Sequence, residues 1–90
     1  HGRLDFLKMD IEGAEPIALL GGRNVLLDNN VRCSICSYHN CNDAKIISDI
    51  LQFYGYRTNT SDGYMLFYHD SQIFSSLDFR RGIVYGRKNV

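Results

Sequence analysis

The distribution of apolar and polar residues along the chain predicts five strands. The first carries apolar side chains on both faces, which is typical of a central strand in a parallel sheet. In the second, side chains alternate between faces, so Val31, Cys33, Ile35 and Ser37 share one face. The strands are predicted over residues 4–9, 31–38, 56–60, 64–68 and 82–86.

Two helices are predicted between the first three strands. The first begins near Pro16, because the missing N–H of proline has no partner in a first helical turn. It ends at Gly21-Gly22, and a further turn or two is expected over residues 23–28. The second helix reaches residue 54, and its apolar residues recur at helical spacings. These residues are Ile46, Ile47, Ile50, Leu51 and Tyr54.

The order strand, helix, strand, helix, then further strands predicts an α/β domain. Its first part should form a parallel sheet with right-handed crossovers. Ser61-Asp62-Gly63 is a hairpin turn signal, so the last strands are expected to form a hairpin added to one edge of the sheet. Residues 69–78 are predicted as a loop, with room for a short helical turn around Ile73 and Phe74.

Composition narrows the class of protein. Ninety residues make one domain, and ten basic and ten acidic side chains cancel, which argues against a nucleic-acid or anionic-membrane partner. No apolar run approaches the length that crosses a bilayer. The chain begins at His1 without Met, so we expect a piece of a longer protein. Three cysteines crowded between positions 33 and 41 are untypical of a secreted disulfide framework, and we expect a cytoplasmic protein.

Acidic residues follow the first strand, at Asp10, Glu12 and Glu15. Ligands of open α/β sheets bind beyond the carboxyl ends of the strands, so Asp10 is the first candidate for a functional residue. Its carboxylate could bind Mg²⁺ or Ca²⁺, act as a general base or accept hydrogen bonds from a ligand. Glu12 and Glu15 could instead cap the following helix and complement its dipole, and we favour this alternative for Glu15.

His39 ends the second strand, so its side chain should lie at the same edge of the sheet as Asp10. A histidine there can be a base, a metal ligand or a hydrogen-bond donor to a substrate, and a purely structural role is equally open. Asn40 and Asp43 lie close by in sequence, and Asp43 is expected to cap the second helix.

Two other groups of residues could bind ligands. Cys33, Cys36, His39 and Cys41 have the composition of a zinc site. However, residues three apart in a strand face opposite sides, so zinc binding is only an alternative. Arg80 and Arg81 could grip a phosphate or carboxylate of a substrate. The sequence contains no glycine-rich phosphate loop.

The segment from Leu4 to Glu15, LDFLKMDIEGAE, resembles the D-F-[LIV]-K-x-D-[IV]-E-G-x-E signature of FkbM-type methyltransferases. The resemblance implies an S-adenosylmethionine-dependent enzyme with a seven-stranded, Rossmann-like class I methyltransferase sheet whose last strand is antiparallel. Residues 1–90 would be the C-terminal part of that single domain and would hold its fourth to seventh strands with flanking helices. Ser37 departs from the pattern, because many relatives carry a glutamate close before the histidine.

The resemblance also implies a reaction and a set of site residues. The family methylates hydroxyl groups on sugars and natural products, so a small-molecule or glycan acceptor is expected. Asp10 and His39 would be catalytic, Asp10 and Glu12 would contact S-adenosylmethionine, and Asp10 would ligate a divalent cation if one is used. Most of the cofactor site would lie outside these residues, so we expect the isolated chain to be inactive.

A different class of function remains open at this point. The chain could be a small non-enzymatic α/β module that binds a partner protein. If the first strand is an exposed edge, its unpaired backbone groups could join two copies into a homodimer, and light scattering would distinguish dimer from monomer.

Overall fold

The computed structural model describes residues 3–67 and 78–88. No helix in these two ranges is long and apolar enough to cross a membrane. Along the chain the elements are β1 (Phe6–Met9), α1 (Glu15–Gly21), α2 (Arg23–Asp28), β2 (Arg32–Cys36), α3 (Asp43–Phe53), β3 (Tyr56–Thr60), β4 (Met65–Phe67), β5 (Asp78–Arg80) and β6 (Ile83–Lys88).

The main sheet has four strands in the order β1-β2-β6-β3. Strands β1 and β2 are parallel, with Phe6 opposite Arg32 and Met9 opposite Ile35. Strand β6 runs antiparallel to both of its neighbours, β2 and β3. The predicted α/β class, the parallel first pair and the antiparallel last strand are therefore confirmed.

The predicted hairpin at Ser61-Asp62-Gly63 is wrong. The chain does turn there, since Gly63 has a φ of 78°, but β3 pairs with β6 and β4 pairs with β5 in a separate two-stranded sheet. The long-range ladder prevails over the local turn signal because β6 satisfies the backbone groups of two strands at once. The helical turn expected around Ile73 and Phe74 lies outside the described residues.

The core lies between the sheet and the three helices, which cover one of its faces. Cys33 and Ile35 of β2 point into it, as their alternation predicts. Gly86 of β6 lets α3 approach closely, because a Cβ there would lie 3.0 Å from Leu51 Cδ1. The buried apolar residues are Leu19, Leu26, Val31, Cys33, Ile35, Ile47, Leu51, Tyr54, Tyr56 and Val84.

Strand β1 departs from the prediction of a strand buried on both faces. Leu7 and Met9 pack against the core, whereas Phe6 on the other face is 57% exposed. The reason is its position, since β1 is the outer strand of the four-stranded sheet and no helix of the described residues covers its second face.

Two buried tyrosines tie the helices to the sheet. Tyr54, at the end of α3, donates a hydrogen bond to the Leu19 carbonyl of α1 at 3.2 Å. The Tyr56 hydroxyl lies 2.9 Å from the Leu26 carbonyl and accepts the Val31 N–H at 3.2 Å. The Tyr56 hydroxyl, which comes from β3, therefore forms hydrogen bonds with backbone groups at the end of α2 and just before β2.

Replacing Tyr56→Phe should lower the free energy of unfolding by about 1–3 kcal/mol, because it leaves the buried Val31 N–H without a partner. Urea unfolding followed by circular dichroism measures the change. Tyr85→Phe is the matched control, since Tyr85 is 43% exposed, and its effect should stay within about 0.5 kcal/mol. Equal midpoints for the two variants would contradict this account of the Tyr56 hydroxyl.

Candidate functional site

Asp10 and His39 meet at the carboxyl ends of β1 and β2. The two strands are parallel neighbours, so the residues that follow them emerge at the same edge of the sheet. His39 Nε2 lies 3.0 Å from Asp10 Oδ1, and the side chains are 15% and 52% exposed respectively. The expected placement of both residues at one edge is confirmed, while their catalytic roles remain predictions.

Glu15 completes this cluster. It was expected to cap the helix, but α1 has no side-chain cap hydrogen bond, so that prediction is wrong. Its side chain is fully buried, and Oε2 lies 3.7 Å from His39 Nε2. Oε2 also accepts the Ile11 N–H at 2.7 Å. The sequence does contain a signal for this position: Glu15 precedes the buried Leu19 by four residues, which places it on the same inward face of α1.

A tight turn connects β1 to α1 and sets the position of Glu15. The Ala14 N–H donates to the Ile11 carbonyl at 3.2 Å. The two central residues have positive φ, 59° at Glu12 and 93° at Gly13, as in a type I′ turn. Gly13 is required for a second reason, because a Cβ there would lie 3.0 Å from Asn40 Nδ2.

Glu12 is exposed at a central position of this turn. Within the described ranges its side chain takes part in no hydrogen bond or ion pair, and it affects the site through its charge. Its backbone conformation is unfavourable for a residue with a side chain. Strain of this kind often accompanies function, and the role of Glu12 in binding the cofactor remains a prediction.

The backbone after β2 is held by neighbouring elements. Arg80 of β5 donates hydrogen bonds to the carbonyls of Tyr38 at 2.7 Å and His39 at 3.0 Å. The Asp43 carboxylate accepts the Asn40 N–H at 3.1 Å, so Asp43 stabilises the loop before α3 from the first turn of that helix. These contacts restrict where the His39 side chain can point.

Arg80 and Arg81 were considered as possible ligands for a phosphate or carboxylate of a substrate, and in the structure both donate hydrogen bonds to the protein backbone. Arg81 Nη1 donates to the Gly63 carbonyl at 3.0 Å, and its guanidinium lies 3.8 Å from the centroid of the Tyr64 ring.

The sequence of this chain matches a known protein family. The sequence profile of the methyltransferase FkbM domain matches residues 1–58, a segment that includes Asp10, Glu15 and His39. This chain belongs to the FkbM methyltransferase family. Membership does not favour the alternative of a non-enzymatic partner-binding module.

A crystal structure of the methyltransferase FkbM from Methylobacillus flagellatus KT has a similar fold. Its TM-score with this chain is 0.65 at 24% sequence identity, over 96% of this chain and 20% of that protein. The chain therefore spans about a fifth of the length of the FkbM protein it matches. A search of curated proteins found no match.

The electrostatics of this FkbM site favour cations. The hydrogen bond with Asp10 raises the pKa of His39 above its ordinary value; burial opposes this effect, and the charges of Glu15 and Glu12 add to it. The charge of Asp10 is also the main cause of the raised pKa of Tyr38, whose ring lies 4.3 Å from that of His39.

The zinc alternative is wrong for geometric reasons. Cys33 faces the core, where burial raises the pKa of its thiol to about 11, and Cys36 projects from the opposite face of β2. Cys41 is exposed in the following loop. Among the described residues, the one group of three potential metal ligands within 4.8 Å of one another is Asp10, Glu15 and His39.

The pKa of His39 should fall when Asp10 is replaced by Asn, because the Asp10 carboxylate stabilises the imidazolium. NMR titration of the His39 ring in metal-free buffer measures it, and the signal is assigned by its loss in His39→Gln. Asp49→Asn is the control, since Asp49 pairs with Lys45 on the surface of α3. An unchanged pKa in Asp10→Asn would contradict the hydrogen bond.

The same contact makes stability depend on pH. The pKa of His39 is raised in the folded state, so its contribution is fully present below the unfolded value of about 6.5 and is lost as pH rises through the folded value. The free energy of unfolding should therefore fall from pH 6 upward more steeply in the wild type than in Asp10→Asn.

Replacing Glu12→Gly should raise the free energy of unfolding by up to about 1 kcal/mol, because glycine adopts positive φ without strain. Glu12→Asn should be nearly neutral, since asparagine tolerates this conformation, and Glu12→Val should destabilise. Thermal and urea unfolding measure the three variants. Destabilisation by Glu12→Gly would show that the Glu12 side chain stabilises the turn.

Proposed function

We propose that residues 1–90 are the C-terminal part of a single S-adenosylmethionine-dependent methyltransferase domain that methylates a hydroxyl group on a sugar or another natural product. The observation that carries the proposal is the contact between His39 and Asp10 at 3.0 Å, at the carboxyl ends of adjacent parallel strands. This contact lies within the segment that matches the FkbM domain.

The residues of this edge suit the cofactor. S-adenosylmethionine, when bound, supplies a methyl group on a positively charged sulfur. Asp10 and Glu12 are exposed carboxylates at the strand end, and negative charge there complements such a cation. The proposal gives these two residues contacts with the cofactor and leaves most of its binding site outside the chain.

The proton of the acceptor hydroxyl must leave as the oxygen–carbon bond forms and the carbon–sulfur bond breaks. His39 Nε2 lies 3.0 Å from Asp10 Oδ1 and donates its proton to that carboxylate, so Nδ1 is the proposed acceptor of the hydroxyl proton, and the ring must be neutral beforehand. Asp10 then stabilises the resulting imidazolium through the hydrogen bond that raises the pKa of His39, while the backbone contacts from Arg80 hold His39 in place. General bases placed in this way typically contribute a factor of about 10² to 10⁴ in rate.

The partners proposed for the domain follow from the same features. The acceptor is a small molecule or glycan, and nucleic acid and membranes are not proposed as partners because the charge is balanced. Free cysteines at positions 33, 36 and 41 support a cytoplasmic location. In the isolated 90-residue chain the outer edge of β1 has no strand partner among the described residues, which supports edge-to-edge pairing of two copies of that chain, whereas in the whole proposed domain a further strand would occupy this edge.

The 90-residue chain should bind S-adenosylmethionine with a dissociation constant weaker than about 1 mM and should not turn over. Isothermal titration calorimetry and a methyl-transfer assay with labelled cofactor measure the two properties. Micromolar binding of S-adenosylmethionine by the 90-residue chain alone would refute the claim that most of the cofactor site lies outside these residues.

In a longer polypeptide that contains the preceding residues of the same reading frame, transfer to a hydroxyl acceptor should be detectable. Asp10→Asn and His39→Gln should each lower kcat by about 10²-fold or more, and His39→Gln should also abolish the dependence of kcat on the ionisation of the base. Asp49→Asn should leave kcat unchanged. Full activity in both site variants would overturn the proposed roles.

A further inference from the structure

Glu15 is a buried carboxylate with few hydrogen-bond partners among the residues that the structure describes. Its side chain is fully buried, and Oε1 has no hydrogen-bond partner among the described residues. Oε2 accepts one backbone N–H, from Ile11. Burying a carboxylate costs several kcal/mol unless it is paired and hydrogen-bonded. The environment of Oε1 therefore favours binding of a positively charged ligand.

Two further donors lie next to Glu15. His39 Nε2 is 3.0 Å from Asp10 Oδ1 and 3.7 Å from Glu15 Oε2. One ligand atom from each of the three residues falls within 4.8 Å of the others. Bonds from divalent metals to nitrogen and oxygen are about 2.0–2.2 Å long, so two ligand atoms of one ion lie at most about 4.4 Å apart. The separations of 3.0 and 3.7 Å from His39 Nε2 to the two carboxylates meet this limit.

We propose that Asp10, Glu15 and His39 bind one divalent first-row transition-metal ion, such as Mn²⁺, Fe²⁺, Co²⁺ or Zn²⁺. Two carboxylates and a neutral imidazole carry a charge of −2, which such an ion balances. Imidazole nitrogen favours these metals over Mg²⁺ and Ca²⁺, which prefer oxygen ligands. Asp10 is half exposed, so the ion retains positions for water or a substrate oxygen.

Neighbouring contacts hold the three ligands in position before any ion binds. The Ile11 N–H orients the Glu15 carboxylate, and the type I′ turn with Gly13 at its centre sets the start of α1. Arg80 fixes the backbone of His39 through its carbonyl at 3.0 Å. Removing contacts that orient the ligands of a metal ion typically lowers the affinity for the metal by about 10- to 100-fold.

Metal binding also changes the chemistry available to His39. The imidazole must lose its proton to become a ligand, so binding should release protons from the site. His39 then no longer serves as a base, and the ion itself lowers the pKa of a bound hydroxyl. This role in methyl transfer rests on the proposed function, whereas binding of the ion does not.

The experiment uses Mn²⁺ as the probe, because cysteine thiolates bind it weakly. The metal-free 90-residue chain is titrated, and free Mn²⁺ is followed by electron paramagnetic resonance. One Mn²⁺ per chain is expected, and a tenfold excess of Mg²⁺ should not displace it. Failure to bind near one equivalent, or full displacement by Mg²⁺, would overturn the proposal.

Variants assign the binding to the three residues. Glu15→Gln and His39→Gln should each weaken Mn²⁺ binding by about 10-fold or more, whereas Asp49→Asn should leave it unchanged. Glu15→Gln retains an oxygen that can accept the Ile11 N–H, and circular dichroism checks that the variants are folded. Unchanged affinity in folded Glu15→Gln and His39→Gln would show that Mn²⁺ binds elsewhere and refute the site.

The outcome separates this proposal from the proposed function. Mn²⁺ binding is measured without S-adenosylmethionine or an acceptor, so it can succeed even if the longer polypeptide transfers no methyl group. Conversely, methyl transfer that persists after the metal is removed by a chelator, in a chain that binds no Mn²⁺, would leave the proposed function standing and the metal site refuted.

Discussion

The parallel pairing of β1 and β2 is the constraint on which the site depends. Because the two strands run in the same direction with Met9 opposite Ile35, the segments that leave them start from the same edge of the sheet. Asp10 and His39 are 29 residues apart in sequence, and this pairing brings them into hydrogen-bond contact. An antiparallel pair would have placed them at opposite edges.

The cluster is held in a state that is costly for the isolated protein. Glu15 is buried, and within the described part of the chain one of its oxygens has no hydrogen-bond partner. Glu12 occupies a backbone conformation that glycine would adopt more easily. Glu12 lies in the turn between β1 and α1, Glu15 is the first residue of α1, and both are close in sequence to Asp10, whose exposed carboxylate contacts His39. Local departures from favourable structure that gather at one place are typical of functional sites, here in a domain whose core is otherwise regular.

Strand β6 is the second element that determines the architecture. It lies between β2 and β3 and pairs with both, so Val84 and Gly86 stand at the centre of the contact between these strands. Gly86 lets α3 pack close to the sheet, and α3 in turn contacts α1 through Tyr54. The position of α1, and with it Glu15, therefore depends on a strand more than 60 residues later in the chain.

Local patterns in the sequence predicted most of the elements and part of the site. The alternation in β2 predicted which side chains are buried and argued against the zinc alternative, because side-chain direction in a strand is a local property. Asp10 and His39 were predicted to share an edge on the rule for parallel strands alone. The hairpin at Ser61-Asp62-Gly63 was wrong because pairing between strands depends on distant partners.

The sequence by itself determined the helices, five of the six strands of the described residues, the family and two of the three members of the cluster; β5 (Asp78–Arg80) was not predicted. Only the tertiary structure decided that β1 is an outer strand, that β6 separates β2 from β3, and that Glu15 is buried beside His39. The physical reason is the range of the interactions. Side-chain periodicity acts over a few residues, whereas the burial of the Glu15 carboxylate requires α1, β1 and the end of β2 to be assembled together.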